Sequence, residues 1–241
     1  MLTIGLLGGM SWESSSEYYR LVNELVRDRL GGLHSARCVL YSVDFAPIEQ
    51  MQAQDRWDVA GVALAEAAQA VQAAGADLLV LCTNTMHKLA DQIRAAITIP
   101  LLDITEVVAS AVTGAGIGRV GLLATAYTME QPFYRDRLAR RGLDVLVPGD
   151  DDRATVHAVI YDELCRGIVR DESRQAYRGV IERLVARGAE GIVLGCTEIE
   201  LLVGQADSPV PVFPTTSLHA AAAVEAALAG GGDGGSGAGQ G

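Results

Sequence analysis

The sequence has few of the features that mark several large classes of protein. Its 241 residues include 19 basic and 30 acidic side chains, for a net charge of -11. Nucleic-acid binding requires clustered Lys and Arg, so this balance argues against a DNA or RNA partner. No apolar run reaches the roughly 18 residues of a membrane helix. The first residues lack the basic segment of a signal peptide. We therefore expect a cytoplasmic protein without membrane contact.

Cysteine is also scarce, and its spacing argues against two common uses. The four cysteines are Cys38, Cys82, Cys165 and Cys196, and none belongs to a CxxC pair or lies at ligand spacing from a histidine. This spacing predicts neither a zinc site nor a disulfide framework. We expect no bound metal, and Cys38 and Cys165 are interpreted first as structural thiols.

Strand and helix patterns alternate along most of the chain. Short apolar runs predict strands buried on both faces at 3–8, 38–43, 77–82, 119–124, 143–148 and 191–195. Amphipathic stretches between them predict helices at 13–30, 58–74, 87–96, 131–140 and 173–187. This alternation predicts an α/β fold with mostly parallel sheets.

The two halves of the chain resemble each other. GADLLVLCTNT, from Gly75, aligns without a gap on GAEGIVLGCTE, from Gly188. We predict two pseudo-symmetric α/β domains, each with a short parallel sheet flanked by helices, and an active site in the cleft between them. The predicted domains are 1–100 plus 213–229 and 101–212, followed by a Gly-rich tail at 230–241.

The alignment pairs Thr83 with Cys196 and Cys82 with Gly195. Ligands of open α/β sheets bind outside the carboxyl ends of the strands, which is where Thr83 and Cys196 are expected. Cys82 should point away from the cleft because side chains alternate along a strand. A position between a strand and a helix predicts a lowered thiol pKa for Cys196, and its polar neighbours Thr197 and Glu198 argue against burial.

Polar residues near the other strand ends are candidate ligands for a substrate. Asn84 and Thr85 offer donors and acceptors suited to a carboxylate, although they could also be simple helix caps. The Gly-rich turn GLLGGMS is neither GxGxxG nor a P-loop, and Met10 and Ser11 would be its contacts. The corresponding turn of the second half offers Thr125 and Thr128. His87 lies one helical turn beyond Thr83 and is a candidate supporting group, although a satisfied core histidine is the simpler interpretation.

Five motifs resemble those of the aspartate/glutamate racemases, in the branch that includes the bacterial broad-specificity amino-acid racemases. They are GLLGGMSWES, LCTNTMH, VTGAGIGRV, YTMEQPFYR and GCTEI, and the resemblance extends to about Ala229. It implies a homodimeric isomerase that uses neither cofactor nor metal. In that family, one acid/base group from each domain flanks the substrate α-carbon, and both are usually cysteines. Here the resemblance implies Cys196 as the base and Thr83, in the first cysteine position, as the opposing proton donor.

The resemblance also bears on the substrate, a free amino acid. The resemblance implies a Lys near the position of Cys165 in members that act on acidic substrates. Gln52 resembles the substrate-contacting residue of the branch, and its side chain is neutral. Aspartate, glutamate and a neutral amino acid such as homoserine all stay open. Asp103 and Pro214 differ from the residues expected there, His and Asp, and both are expected on the cleft side.

Three functions are compatible with these residues. The first is racemisation of an amino acid, with Thr83 and Cys196 as the acid/base pair and Cys82 as a possible substitute for Thr83. The second is a related isomerase or decarboxylase that acts on a dicarboxylate. The third is a non-catalytic amino-acid binder, which the loss of the first cysteine would suit.

Overall fold

The computed structural model describes residues 1–230, which contain eight β-strands and eleven α-helices. The Gly-rich tail predicted at 230–241 lies outside the described residues apart from Gly230. The strands are β1 Ile4–Gly8, β2 Cys38–Ser42, β3 Leu78–Leu81, β4 Leu101–Leu102, β5 Arg119–Ala124, β6 Asp144–Leu146, β7 Gly191–Gly195 and β8 Val212–Pro214. The helices are α1 Trp12–Leu30, α2 Phe45–Ala53, α3 Trp57–Ala73, α4 Ala90–Ala96, α5 Ile104–Gly114, α6 Ala126–Glu130, α7 Pro132–Arg140, α8 Asp150–Asp162, α9 Asp171–Ala186, α10 Ile199–Leu202 and α11 Thr215–Ala229. None of the helices in this part of the chain combines the length and apolarity needed to cross a membrane.

Two four-stranded parallel sheets confirm the predicted fold class. The first sheet has the order β2-β1-β3-β4 and the second the order β6-β5-β7-β8. The registers of the two sheets match the alignment of the two halves. Leu78, which aligns with Gly191, pairs with Ile4 of β1, and Gly191 pairs with Val120 of β5. The repeat in the sequence is therefore a repeat in the structure, down to the register of single residues.

The central strands are apolar throughout because helices cover both faces of each sheet. β1, β3 and β7 are completely buried. The first sheet separates two apolar clusters, one under α3 and α4 and one under α1 and α11, whereas one large cluster fills the second domain. The prediction of burial on both faces is wrong for the edge strands β2 and β6. Leu40 and Tyr41 of β2 are exposed, and β6 has one exposed and two half-buried residues.

Most predicted helices are confirmed with ends shifted by one or two residues, but 87–96 is not one continuous helix. A 3-10 helix at Thr85–Leu89 precedes α4. Helices α2, α5, α6, α8 and α10 were not predicted. α2, α6 and α10 are short, and α8 begins with three aspartates that hide its helical period. α5 is as amphipathic as α1, so its pattern could have been recognised.

The sheets cross the predicted domain boundaries at two strands: β4 lies beyond residue 100 but belongs to the first sheet, and β8 belongs to the second sheet but continues beyond residue 212. Leu101 and Leu102 pair with β3 in the first sheet, and Val212, Phe213 and Pro214 pair with β7 in the second. The first sheet therefore extends to 102 and the second to 214. Helix α11 packs on α1 and contributes Ala220, Ala223 and Val224 to a first-domain cluster.

Candidate active site

One cavity lies beside the carboxyl ends of both sheets and encloses about 470 Å³ including its opening to solvent. We call it the interdomain cavity, because both domains line it. The first domain contributes Met10, Ser14, Phe45, Gln52, Thr83, Asn84, Thr85 and Met86. The second domain contributes Thr125, Ile160, Tyr161, Cys165, Gly195, Cys196, Thr197 and Glu198. Thr83 and Cys196 therefore share one cavity, as the internal repeat predicts.

The turn after β1 comes close to the end of β2 because Gly9 has no side chain. Gly9 has φ +93°, and a Cβ atom there would lie 2.2 Å from the carbonyl oxygen of Val43. Its amide donates a hydrogen bond to Ser15 Oγ at 2.7 Å. This close approach positions the beginning of α1, with Ser11 as its N-cap, at the edge of the interdomain cavity.

Thr83 is held by its backbone. Its amide donates to the Leu81 carbonyl at 2.8 Å, and its carbonyl accepts a hydrogen bond from His87 Nδ1 at 2.6 Å. The Ile104 amide donates to His87 Nε2 at 3.2 Å, so the imidazole is neutral and carries its proton on Nδ1. Burial lowers the pKa of His87 in agreement with this state. His87 does not line the interdomain cavity; it fixes the turn that presents Thr83.

Cys196 is buried, and the prediction of a thiol with a lowered pKa is wrong. Burial raises its pKa well above the usual value, and the charge of Glu198 raises it further. The thiol donates a hydrogen bond to Glu198 Oε2 at 2.9 Å. The backbone amide of Glu198, which bonds to the sulfur, has the opposite but smaller effect on the pKa. Helix α10 has only four residues, so its dipole is weak. Cys196 is therefore a neutral thiol in the resting protein.

Glu198 joins the two domains. Ser11 Oγ donates to Glu198 Oε1 at 2.6 Å while the Cys196 thiol donates to Oε2, so both carboxylate oxygens have partners. Cys165 lies nearby, since burial and the charge of Glu198 raise its pKa to about 12. Ser11 itself does not line the interdomain cavity. It caps α1 by accepting from the Ser14 amide at 3.3 Å and orients the carboxylate.

Hydroxyl and amide groups form a further part of the cavity lining, which we call the polar wall. Thr85 Oγ1 lies 3.1 Å from both Thr125 Oγ1 and Thr128 Oγ1. Asn84 donates to Thr215 Oγ1 at 2.9 Å and accepts from Tyr134 Oη at 3.0 Å. These bonds cross between the domains, so the polar wall is rigid before a ligand arrives.

Hydroxyl groups of neighbouring residues hold Thr197 in place. Ser14 Oγ lies 2.6 Å from Thr197 Oγ1, and Thr216 Oγ1 donates to the same oxygen at 3.0 Å. Glu200 accepts from the Thr216 amide at 2.8 Å. Burial raises the pKa of Glu200 to about 7. The side chain of Thr197 is thereby fixed next to Cys196.

Besides Ser11 and His87, three further residues singled out from the sequence lie away from the interdomain cavity. Cys82 is buried in the core between β3 and helices α1 and α11, with its sulfur 3.7 Å from the Val80 carbonyl oxygen. The expected cleft-side positions of Asp103 and Pro214 are wrong. Asp103 caps α5 and accepts from Arg137 Nη1 at 2.6 Å. Pro214 belongs to a separate depression with Glu200 and Ser217. Asp103 follows β4 and Pro214 ends β8, but neither side chain lines the interdomain cavity.

Five lining side chains were missed by sequence reasoning: Ser14, Phe45, Met86, Ile160 and Tyr161. Ser14 lies in the first turn of α1, three residues after Ser11, so its position could have been inferred from the cap. Phe45 begins α2, and Ile160 and Tyr161 lie near the end of α8, two helices that were not predicted. Nothing in the sequence pattern places these two helices across the cavity from each other.

Comparisons with known proteins agree with this geometry. The profile of the Asp/Glu/hydantoin racemase family matches residues 7–223. A Yersinia pestis protein whose crystal structure is described as "a putative Asp/Glu Racemase" is 53% identical, with a TM-score of 0.89 over 95% of this chain and 100% of that one. An aspartate racemase homologue from Pyrococcus horikoshii is 30% identical, with a TM-score of 0.84 over 95% and 100% of the two chains.

A racemase activity appears in the name of a more distant relative. The Broad specificity amino-acid racemase RacX of Bacillus subtilis is 22% identical over 94% of this chain and 98% of its own length. The matched residues 7–223 include every residue that lines the interdomain cavity and all the strands except the first three residues of β1. The chain therefore belongs to the Asp/Glu/hydantoin racemase family.

Proposed function

We propose that this protein racemises a free amino acid by two acid/base groups, without a cofactor or metal, and that these groups are Cys196 and Thr83. Family membership indicates a racemase. The observation that carries the assignment of residues is the single cavity that both side chains line, one from each sheet. Groups that two different domains contribute to one cavity can reach opposite faces of one α-carbon, as inversion requires.

Glu198 completes the proton path. The thiol of Cys196 is neutral at rest, so its proton passes first to the Glu198 carboxylate, 2.9 Å away. The thiolate then removes the α-proton of the substrate, and Thr83 donates its hydroxyl proton to the other face of the carbanion. The proton held by Glu198 returns through solvent to the Thr83 alkoxide. The cycle ends with Cys196 and Thr83 protonated and Glu198 ionised.

The polar wall stabilises the carbanion in this proposal. Because a Cα–H is a very weak acid, charge that develops on the α-carboxylate needs fixed donors and a site with little water. Asn84, Thr85, Thr125 and Thr197 are less than 9% exposed and already hydrogen-bonded to neighbours. We propose that they bind the α-carboxylate, with Met10 as an apolar wall.

Independence from pyridoxal phosphate and metals is part of the proposal. A pyridoxal enzyme needs a lysine for the Schiff base, and no lysine is among the residues that line the cavity. Residues 1–230 contain no group of three or more His, Cys, Asp or Glu side chains arranged to hold a metal ion. We expect activity to persist after dialysis against a chelator and after treatment with hydroxylamine.

The pair predicts unequal rates in the two directions. A threonine hydroxyl is far too weakly acidic to rest as an alkoxide, so Thr83 is a better proton donor than base. Because the equilibrium constant of a racemisation is 1, kcat/KM must be equal for the two enantiomers. The difference is therefore expected in kcat, larger for the enantiomer whose α-proton faces Cys196, with a matching difference in KM. Cys82 is the alternative base, but its sulfur lies in the core.

Deuterium incorporation tests these roles. Each enantiomer is incubated in D2O with the variants Thr83→Ala, Cys82→Ala and Cys196→Ala. We expect Cys196→Ala to stop α-proton exchange, Thr83→Ala to allow exchange with little inversion, and Cys82→Ala to behave as the parent. An inactive Cys82→Ala combined with an active Thr83→Ala would overturn the assignment. Loss of carbon dioxide without α-proton exchange would favour a decarboxylase, and binding without any reaction would favour a non-catalytic amino-acid binder.

We also propose that the protein is a cytoplasmic homodimer. Large apolar side chains are exposed on α1, on β2 and in the loop between them: Trp12, Tyr19, Leu33, Leu40 and Tyr41. Such a surface suits a second copy of the chain. Light scattering after gel filtration gives the mass directly, and a monomer at micromolar concentration would contradict the dimer.

A further inference from the structure

The interdomain cavity has an inner polar wall and an outer end of different chemistry. The outer end is formed by α2 and by the region of α8, where Phe45 and Gln52 face Ile160, Tyr161 and Cys165. Gln52 Nε2 lies 3.5 Å from Tyr161 Oη, which joins the two domains across this end. If the polar wall and Glu198 hold the α-carbon region, the substrate side chain points here.

The hydrogen-bonding groups of this end are neutral. Gln52 is only 3% exposed, and the hydrogen bonds found among residues 1–230 include none to its Oε1. Burial raises the pKa of Tyr161, so its phenol keeps its proton. An amide, a phenol and a thiol can donate to or accept from an uncharged polar side chain.

No positively charged side chain lines the cavity to compensate a second substrate carboxylate; Glu198 is the one charged residue of the lining in the described part of the chain. Arg166 follows Cys165 but is exposed and lies outside the lining. Two other nearby basic residues have contacts elsewhere. The ammonium group of Lys88 lies 3.8 Å from the centre of the Trp57 ring. His157 Nδ1 accepts from the Ala126 amide, and burial lowers the pKa of this histidine.

The approach to the cavity is also negative. A depression lined by Glu13 and Asp44 adjoins the outer end and shares Phe45 and Cys165 with it. Burial of an ionised carboxylate without a charge partner costs several kcal/mol. Glu198 and these two residues would add repulsion to that cost.

We propose that the cavity selects amino acids with an uncharged polar side chain and discriminates against aspartate and glutamate. This inference rests on the proposed racemisation. Glutamine and asparagine are the diagnostic probes, because each differs from its acid by an amide in place of a carboxylate. Steric fit is nearly equal within each pair, so the ratio of rates measures the charge.

The test measures kcat/KM by chiral chromatography for L-glutamine, L-glutamate, L-asparagine, L-aspartate and L-lysine. We expect each amide to exceed its acid by at least about tenfold, and lysine to be slower than glutamine. A smaller ratio in either pair, or lysine faster than glutamine, would overturn the inference.

A charge introduced at the outer end provides the matched variant. Cys165→Lys should lower the glutamine-to-glutamate ratio by about tenfold or more, whereas Cys165→Met, similar in length but neutral, should leave it within about threefold of the parent. An unchanged ratio in a folded Cys165→Lys protein contradicts the inference.

The same pairs are also titrated by calorimetry. A protein that binds glutamine at least about tenfold more tightly than glutamate but exchanges no α-proton would refute the proposed function and leave the selectivity standing. A protein that racemises glutamate best would support the proposed function and refute the selectivity. If neither amide is favoured in binding or in rate, the selectivity is wrong.

Discussion

Replacement of Glu198 by glutamine tests the proton path most directly. The side chain keeps its shape and can still accept from Ser11 Oγ, which lies 2.6 Å from Oε1. It loses its negative charge and most of its basicity. The thiol of Cys196, 2.9 Å from Oε2, then has no strong proton acceptor.

Two effects of opposite direction follow from this change. A positioned general base contributes about 10²–10⁴ in rate, so kcat/KM at neutral pH should fall by about that factor. This corresponds to about 3–5 kcal/mol of transition-state stabilisation. At the same time the thiol pKa should fall, because the charge and the side-chain hydrogen bond of Glu198 both raise it in the parent. The deficit should therefore shrink as pH rises and the thiolate forms by direct titration.

Both effects are measured in one protein. Initial rates of inversion are followed by chiral chromatography from neutral to alkaline pH. The rate of alkylation of Cys196 by iodoacetamide is followed by peptide mass spectrometry over the same range. Glu182→Gln, which removes an exposed carboxylate of α9, is the control and should match the parent in both assays.

Two results would refute the reasoning. The first is a Glu198→Gln variant that keeps the neutral-pH rate of the parent. The second is an alkylation profile shifted to higher pH, because it would mean that Glu198 lowers the thiol pKa. A lower rate that does not recover at alkaline pH would assign Glu198 to substrate binding instead of proton transfer.

Two predictions concern stability, measured by urea unfolding. Burial lowers the pKa of His219 from 6.5 to about 3, so below pH 6.5 the unfolded chain binds a proton that the folded protein does not. The contribution of the neutral, buried His219 to the free energy of unfolding is complete above pH 6.5. It is lost as pH falls, by about 2 kcal/mol at pH 5. His219→Gln should remove that part of the pH dependence, whereas exposed His34→Gln should not; equal slopes in both would be contrary to expectation. Gly9→Ala should cost at least about 2 kcal/mol, because its φ of +93° and the Val43 carbonyl oxygen, 2.2 Å from the added carbon, leave no room. Gly149→Ala meets no atom within 4 Å and should change stability by less than about 1 kcal/mol.

Much of the fold could be predicted from local pattern. Buried strands of parallel sheets are continuous apolar runs, and helices of three or more turns show their period, so the central strands and the long helices were readable. The internal repeat went further, because it predicted which strand ends correspond. Short or weakly amphipathic helices such as α2 and α8 carry no such signal. The edge strand β2 was readable as a strand, but its exposure depends on which neighbour covers it.

The candidate site divides in the same way. Thr83 and Cys196 were found because each follows a strand at equivalent positions of the repeat, and a repeat in sequence is preserved in register. The same reasoning predicted that Asn84 and Thr125, two residues of the polar wall, would lie at the site. Cys165 was identified from a family resemblance, and only the structure places it beside Glu198.

The sequence alone determined two repeated α/β domains and the two strand ends that present a hydroxyl and a thiol. Tertiary structure alone decided the ionisation of that thiol. A sequence shows Cys196 next to polar residues, but burial and a carboxylate held by Ser11 from the other domain decide its charge. Electrostatic free energy depends on distance and burial in space, and neither quantity is encoded in the spacing of residues along the chain.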